Sequence, residues 1–170
     1  PEMRVIVIPS WSGEKYENIA DRTGNWKVNI KIPKAGGPYH LEIIDGEKVR
    51  LENVMIGEVW LCSGQSNMQM PVEGWGKVKN YQQEVAQANY PNIRLMTVSN
   101  TISLSPSQEF TAVGGGWQVC SSGTIREFSA AAYFFGREIA RTQQVPVGLI
   151  CAHWGGTNIC LLYTSPSPRD

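Results

Sequence analysis

Hydrophobic and polar residues alternate in the first third of the chain, a pattern that predicts short β-strands. MRVIVIP at residues 3–9 is strand-like, and apolar and polar side chains alternate in NWKVNIKIP at residues 25–33. The turn sequences AGGPY and DGEK frame a further strand, HLEII. Because no helical period is visible, residues 1–54 are predicted to form an antiparallel, β-sandwich-like module with one solvent-facing side, incomplete at its N-terminus.

From residue 55 onward, apolar runs alternate with helical segments. GEVWLC at residues 57–62 is apolar with one charge, which predicts a strand covered on both faces. NYQQEVAQANY predicts a helix that stops at Pro91, and NIRLMTVS predicts the strand after it. Residues 99–124 are rich in Ser, Pro and Gly and are interpreted as a loop.

The strongest helix signal is SAAAYFFGREIAR, with Ser129 as its N-cap. Its expected apolar stripe consists of Ala131, Phe134, Phe135 and Ile139. VPVGLICA then predicts a buried strand. The order strand, helix, strand, helix, strand indicates an α/β fold with a parallel sheet.

Charge and cysteine content narrow the possible partners. The 170 residues include 15 basic and 15 acidic side chains, so the zero net charge favours neither nucleic acid nor an anionic membrane as partner. No apolar run approaches the length of a membrane span. The four cysteines lack CxxC or CxxH spacing, which argues against a zinc site. Disulfides and oligomeric state stay open.

The candidate chemistry begins at Ser66 in LCSGQSNMQM, just beyond a predicted strand. Catalytic residues of open α/β sheets lie at the carboxyl ends of strands, and N–H groups at a helix start can stabilise an oxyanion. The turn is not a G-x-S-x-G elbow, because Met68 occupies the last position. Ser66 is therefore either a nucleophile or a helix cap.

A second turn, HWGGT, follows the VPVGLICA strand. Gly155 and Gly156 there leave two amides unshielded by a Cβ, either as further oxyanion donors or because the loop needs positive φ. His153 begins this turn and could hydrogen-bond a hydroxyl, although packing beside Trp154 explains it more simply. His40 lies in the β module and is interpreted as a strand residue.

Four collinear blocks resemble the sialate O-acetylesterases, carbohydrate esterases of the SGNH hydrolase superfamily. They are GEVWLCSGQSNM, W-x-x-C from Trp117 to Cys120, FSAAAYFFGRE, and VPVGLI-x-x-x-WGGT, and the likeness runs from about residue 4 to Ile159. The resemblance implies an incomplete SGNH, flavodoxin-like parallel sheet, with residues 55–159 as the N-terminal part of the hydrolase domain.

The resemblance also implies roles for individual residues. Ser66 matches the nucleophile, its own N–H matches one oxyanion donor, and Gly156, with Gly155 beside it, matches another. Gln65, Asn67, Trp117 and Trp154 are candidates for the substrate cleft, as is Trp75, although the tryptophans could equally pack loops onto the sheet.

The implied activity removes O-acetyl groups from sialic acids or related glycans, without a metal or cofactor. An acetylxylan-type esterase and a non-catalytic carbohydrate-binding protein are the alternatives. The family's Gln-Gly-Glu-x-Asn and Asp-x-x-His stretches, the latter supplying the base, do not occur in this sequence. The resemblance suggests a periplasmic or secreted parent protein.

The last eleven residues, CLLYTSPSPRD at 160–170, resemble the translation of a transposase-type sequencing adapter. We expect this tail to be an artefact that interrupts the hydrolase domain, and we expect the fragment alone to be inactive.

Overall fold

The computed structural model describes residues 3–103, 105, 107 and 109–156. The tail predicted to derive from an adapter, residues 160–170, lies outside this range. The chain folds into two compact units, and the division between them falls between Gly57 and Glu58. Within the described ranges, no helix is both long enough and apolar enough to cross a membrane.

The N-terminal unit contains a four-stranded antiparallel sheet in the order β2-β1-β3-β4. The strands are β1 (Arg4–Pro9), β2 (Tyr16–Ile19), β3 (Gly36–Ile44) and β4 (Lys48–Ile56). The predicted DGEK hairpin joins β3 to β4, with the Asp45 N–H donating to the Glu47 carbonyl at 3.1 Å. Val5, Val7 and Ala20 form the buried core. The antiparallel β module is therefore confirmed.

The predicted strand at residues 25–33 is wrong, because this segment joins no β-ladder. Two of its alternating apolar residues, Val28 and Ile30, nevertheless pack against the core of the unit. The Asn18 side chain donates to the Lys27 carbonyl, and the Trp11 indole N–H donates to the Lys31 carbonyl at 2.9 Å. Side-chain donors from distant residues thus satisfy backbone groups that a ladder would otherwise pair.

Two other features of this unit were not predicted. Residues Tyr16–Ile19 form strand β2, which pairs with β1. AGGPY, interpreted as a turn, instead begins β3 at Gly36, where the pairing with β4 is irregular between Gly36 and Leu41. Glycine and proline are compatible with a strand here, because the pairing is irregular and these residues lie beyond the ladder that joins β3 to β1.

The second unit is a mixed sheet in the order β5-β8-β6-β7, in which β5, β8 and β6 are parallel and β7 is antiparallel. Its strands are β5 (Glu58–Gly64), β6 (Asn89–Thr97), β7 (Gln118–Ser121) and β8 (Val147–His153). Its helices are α1 (Ser66–Gln69), α2 (Tyr81–Gln87) and α3 (Ala130–Gln143), with a 3₁₀ turn at Val113–Gly115. The predicted α/β class is confirmed.

Strand β7 lies inside the segment that the sequence analysis interpreted as a loop, residues 99–124. It has four residues and, within the described part of the chain, pairs with β6 alone. Such a short strand carries little periodicity of its own, so its partner rather than its sequence makes it a strand.

The prediction that GEVWLC is covered on both faces is wrong for the described part of the chain. Strand β5 is at the edge of the sheet, with β8 as its neighbour, and the side chains of Val59 and Leu61 are 61% and 68% exposed. Cys62 is the buried residue of this strand. Strand β8, with neighbours on both sides, takes the central position.

Helix α3 begins as predicted, because the Ser129 hydroxyl accepts a hydrogen bond from the Ala132 N–H at 3.1 Å. The predicted apolar stripe is half right: Phe134 and Ile139 are partly buried and pack against the core, whereas Ala131 and Phe135 are exposed. The buried positions are Ala130, Ala132, Tyr133 and Gly136. Small residues on this side let the helix approach the sheet closely, which a hydrophobicity count does not reveal.

Candidate active site

The candidate site lies where two neighbouring parallel strands end. Strands β5 and β8 run in register from Glu58 and Val147 to Gly64 and His153. Beyond the ladder, the Trp154 N–H donates to the Gly64 carbonyl at 3.1 Å. The loops that leave the two strands therefore emerge side by side, and they carry Ser66 and the Gly155–Gly156 turn.

Ser66 is the first residue of the one-turn helix α1, and Gln65 occupies the N-cap position. The Gln69 N–H donates to the Gln65 carbonyl at 2.9 Å, and the Met70 N–H donates to the Ser66 carbonyl at 2.8 Å. Ser66 is thus a helical residue and not the cap, so the capping interpretation does not apply. Ser66 is exposed, as are its neighbours Gln65 and Asn67. The first N–H groups of a helix have no partner inside it, which suits them to an anion.

Gly155 lies so close to Ser66 and Gln69 that an added side chain would have to displace the Gln69 side chain. A Cβ built on Gly155 would lie 3.2 Å from Ser66 Oγ and 2.6 Å from Gln69 Oε1. The Gly155 N–H donates to Gln69 Oε1 at 2.7 Å. This amide already has an acceptor in the structure, and the expectation that Gly155 is an oxyanion donor stays a prediction.

Gly156 remains as the candidate donor in this turn. Its φ of 77° lies in the left-handed region, and an added Cβ would meet no atom of the described residues within 4 Å. Glycine is required here by backbone conformation and at Gly155 by space. Both interpretations of the WGGT turn in the sequence analysis, positive φ and an accessible amide, are therefore compatible at Gly156.

His153 ends β8 and is half-buried. Its Nδ1 is buried and has no hydrogen-bond partner among the described residues. Burial lowers the pKa of the imidazole, which favours its neutral form. No hydrogen bond joins His153 to Ser66 within the described ranges. The ring of His40, the other histidine, contacts Arg50 through Nδ1 at 3.2 Å in the β module.

The structure separates the candidate tryptophans of the cleft. A Cβ on Gly148 would lie 3.1 Å from the Trp117 ring, so Trp117 covers the start of β8. Five residues of strand separate Gly148 from His153, about 16 Å at roughly 3.3 Å per residue. Trp117 is therefore not beside Ser66. Trp154 directly follows β8 and is half-buried, and Trp75 is 69% exposed in the loop after α1.

Cysteines lie beneath the site as free thiols. Cys62 and Cys151 are directly opposite each other in the β5–β8 register, and both are buried. Cys120 in β7 is also free, and burial raises the pKa of its thiol to about 12.

Within the described part of the chain, no three His, Cys, Asp or Glu side chains are grouped so as to hold a metal ion.

Gln69 is the residue of this site that the sequence analysis missed. Its position three residues after Ser66 places both on the same side of a helical turn, which is the signal that could have found it. Its partner, 86 residues away, is evident only in the folded chain.

Open α/β proteins have their active sites at the carboxyl ends of the strands, and the exposed serine and the glycine turn of this chain lie at that edge. The fold and the candidate site therefore place the chain in this class of α/β proteins. A profile of the family described as carbohydrate esterase, sialic acid-specific acetylesterase, matches residues 56–166. The chain belongs to this family of carbohydrate esterases, and the resemblance seen in the sequence is confirmed.

Individual relatives agree with this assignment. Sialate O-acetylesterases of Pongo abelii and Homo sapiens are each 34% identical to the chain over 157 residues, or 86% of it. The chain spans only 29% of the length of either relative. The crystal structure of a carbohydrate acetylesterase from Xanthomonas citri matches with a TM-score of 0.85 and 34% identity, covering 94% of this chain and 35% of that one.

Proposed function

We propose that this chain carries the nucleophile of a serine esterase that removes O-acetyl groups from sialic acids or related glycans. The observation that supports it best is the meeting of an exposed serine and a glycine turn at one edge of the sheet. The distance of 3.2 Å from Ser66 Oγ to the Cβ position of Gly155 expresses this proximity. The family and the names of the relatives support the acetylated sugar as substrate.

In the proposed reaction, Ser66 Oγ attacks the acetyl carbonyl carbon and gives its proton to a general base. The carbonyl oxygen becomes an oxyanion, which the N–H groups of Ser66 and Gly156 stabilise. Collapse of this intermediate breaks the bond to the sugar oxygen, which takes up the proton, and leaves an acetyl-enzyme. Water then attacks the acetyl-enzyme and releases acetate.

We further propose that the base belongs to an Asp-x-x-His stretch of the kind that the family resemblance implies, which does not occur in this sequence. Burial lowers the pKa of the half-buried His153, and no hydrogen bond joins it to Ser66 among the described residues, so His153 is assigned no part in proton transfer. The 170-residue chain alone is then expected to hydrolyse p-nitrophenyl acetate no faster than the uncatalysed background.

The test uses a protein in which this chain continues to the length of its relatives. Release of acetate from 9-O-acetylated sialic acid should fall by at least about 10³-fold in Ser66→Ala, since the nucleophile is lost. Ser63→Ala, at an exposed serine of β5, is the matched control and should retain activity. Gly156→Ala should cost about 10²-fold, because strain at positive φ displaces one oxyanion donor. Turnover by Ser66→Ala at the wild-type rate would refute the mechanism.

A further inference from the structure

We propose that Gln69 is a positioning residue, whose side-chain carbonyl holds the Gly155–Gly156 turn against α1 and so places the Gly156 N–H toward the oxyanion. This inference rests on the proposed esterase function and adds a residue to its machinery. Gln69 acts through the turn and is not assigned any contact with the substrate.

The contact itself is short and joins distant parts of the chain. The Gly155 N–H donates to Gln69 Oε1 at 2.7 Å, across 86 residues of sequence. Both residues are half-buried, so water competes less for this bond than it would at an exposed position. The bond therefore ties the loop after β8 directly to the helix that begins with Ser66.

The same glycine contacts both ends of α1. Its Cβ position lies 3.2 Å from Ser66 Oγ and 2.6 Å from Gln69 Oε1, so there is no space for an intervening side chain. Because α1 is a single turn, Ser66 and Gln69 are held at a fixed separation. The bond to Gln69 consequently sets how far the glycine turn stands from the Ser66 hydroxyl.

A glutamine suits this position for an electrostatic reason. The amide oxygen accepts the Gly155 N–H without carrying charge, close to the place where the oxyanion develops. A carboxylate would accept the same hydrogen bond but would repel that oxyanion. Engagement of Gly155 also leaves the next amide, that of Gly156, as the turn's available donor.

The first arm of the test is structural and uses the present chain. Amide hydrogen exchange at Gly155 should accelerate at least about tenfold in Gln69→Met, which keeps the volume but removes the acceptor. In Gln69→Glu the exchange should stay slow, because an acceptor remains. Gln83→Met, at an exposed glutamine of α2, is the matched control and should leave Gly155 unchanged. Unchanged exchange in Gln69→Met would overturn the proposal.

The second arm measures kinetics in a protein with this chain continued to the length of its relatives. Gln69→Met should lower kcat by about tenfold or more with little change in KM, since only oxyanion placement is lost. Gln69→Glu should lower kcat more than Gln69→Met at every pH from 5 to 8, because a carboxylate with the ordinary glutamate pKa of about 4.3 is ionised throughout this range and repels the oxyanion although it keeps the hydrogen bond. A merely structural role would not produce a Gln69→Glu variant that keeps slow exchange at Gly155 and still loses kcat.

The outcomes separate the two hypotheses. If the wild type hydrolyses acetyl esters and Ser66→Ala does not, but Gln69→Met keeps the wild-type kcat, the positioning role fails and the esterase assignment stands. If the wild type shows no esterase activity, the proposed function fails, and with it the catalytic role of Gln69.

Discussion

The N-cap of α3 offers a sharp quantitative prediction, because its serine is fully buried beside the helix that carries Ser66. Ser129 Oγ accepts from the Ala132 N–H at 3.1 Å and donates to Met68 Sδ at 3.4 Å. The residues Ser129 and Ala132 are 0% and 1% exposed. Replacing Ser129 with alanine removes both bonds at a place that water cannot readily reach.

The magnitude follows from these contacts. Loss of an N-cap typically costs about 1 kcal/mol, with a range of roughly 0.5–2 kcal/mol. Because the orphaned Ala132 N–H stays buried, the upper end of this range applies. The bond to Met68 adds little, since a thioether is a weak acceptor. We therefore expect Ser129→Ala to lower the free energy of unfolding by about 2 kcal/mol.

Urea unfolding followed by circular dichroism measures this cost, at concentrations where light scattering shows a monomer. The midpoint should fall while the slope with urea stays constant. Ser122→Ala, at an exposed serine, should change stability by less than about 0.5 kcal/mol. Met68→Leu, which keeps the cap and the volume, should cost less than about 1.5 kcal/mol. A Ser129→Ala variant as stable as Ser122→Ala would refute the reasoning.

Two further predictions concern the edge strand and the buried histidine. The exposed apolar side chains of the edge strand β5 should make the chain associate as its concentration rises. Light scattering should show less association for Leu61→Lys than for the wild type. Equal association of the two proteins would contradict this prediction. Burial lowers the pKa of His153, so the unfolded chain binds its proton more readily, and stability should fall as pH drops through about 6.5 and level off below the folded pKa. Urea midpoints at pH 7.5 and 5 should differ less in His153→Gln than in the wild type, and equal differences would exclude this contribution.

Several features of the fold and site could be predicted from short stretches of sequence. The β-branched run in β1, the hairpin turn at DGEK and the N-cap at Ser129 each depend on a few neighbouring residues, so the sequence is enough to predict them. The order of strands and helices indicated the α/β class for the same reason. The motif around Ser66 and the WGGT turn identified the family.

Other features depend on partners far away in the chain and became evident only in the folded molecule. Whether GEVWLC is a central or an edge strand depends on which strands pair with it, because the same apolar sequence is compatible with both positions. Residues 25–33 alternate like a strand but find side-chain donors instead of a ladder.

The same distinction holds at the site. The sequence alone established that Ser66 and the Gly155–Gly156 turn follow predicted strands, and that their residue types suit acyl transfer. Only the parallel pairing of β5 with β8 brings them to one edge, engages the Gly155 amide with Gln69, and leaves Trp117 at the far end of β8. The physical reason is that a hydrogen bond or a close approach between residues 86 positions apart depends on the packing of whole strands, which no local pattern encodes.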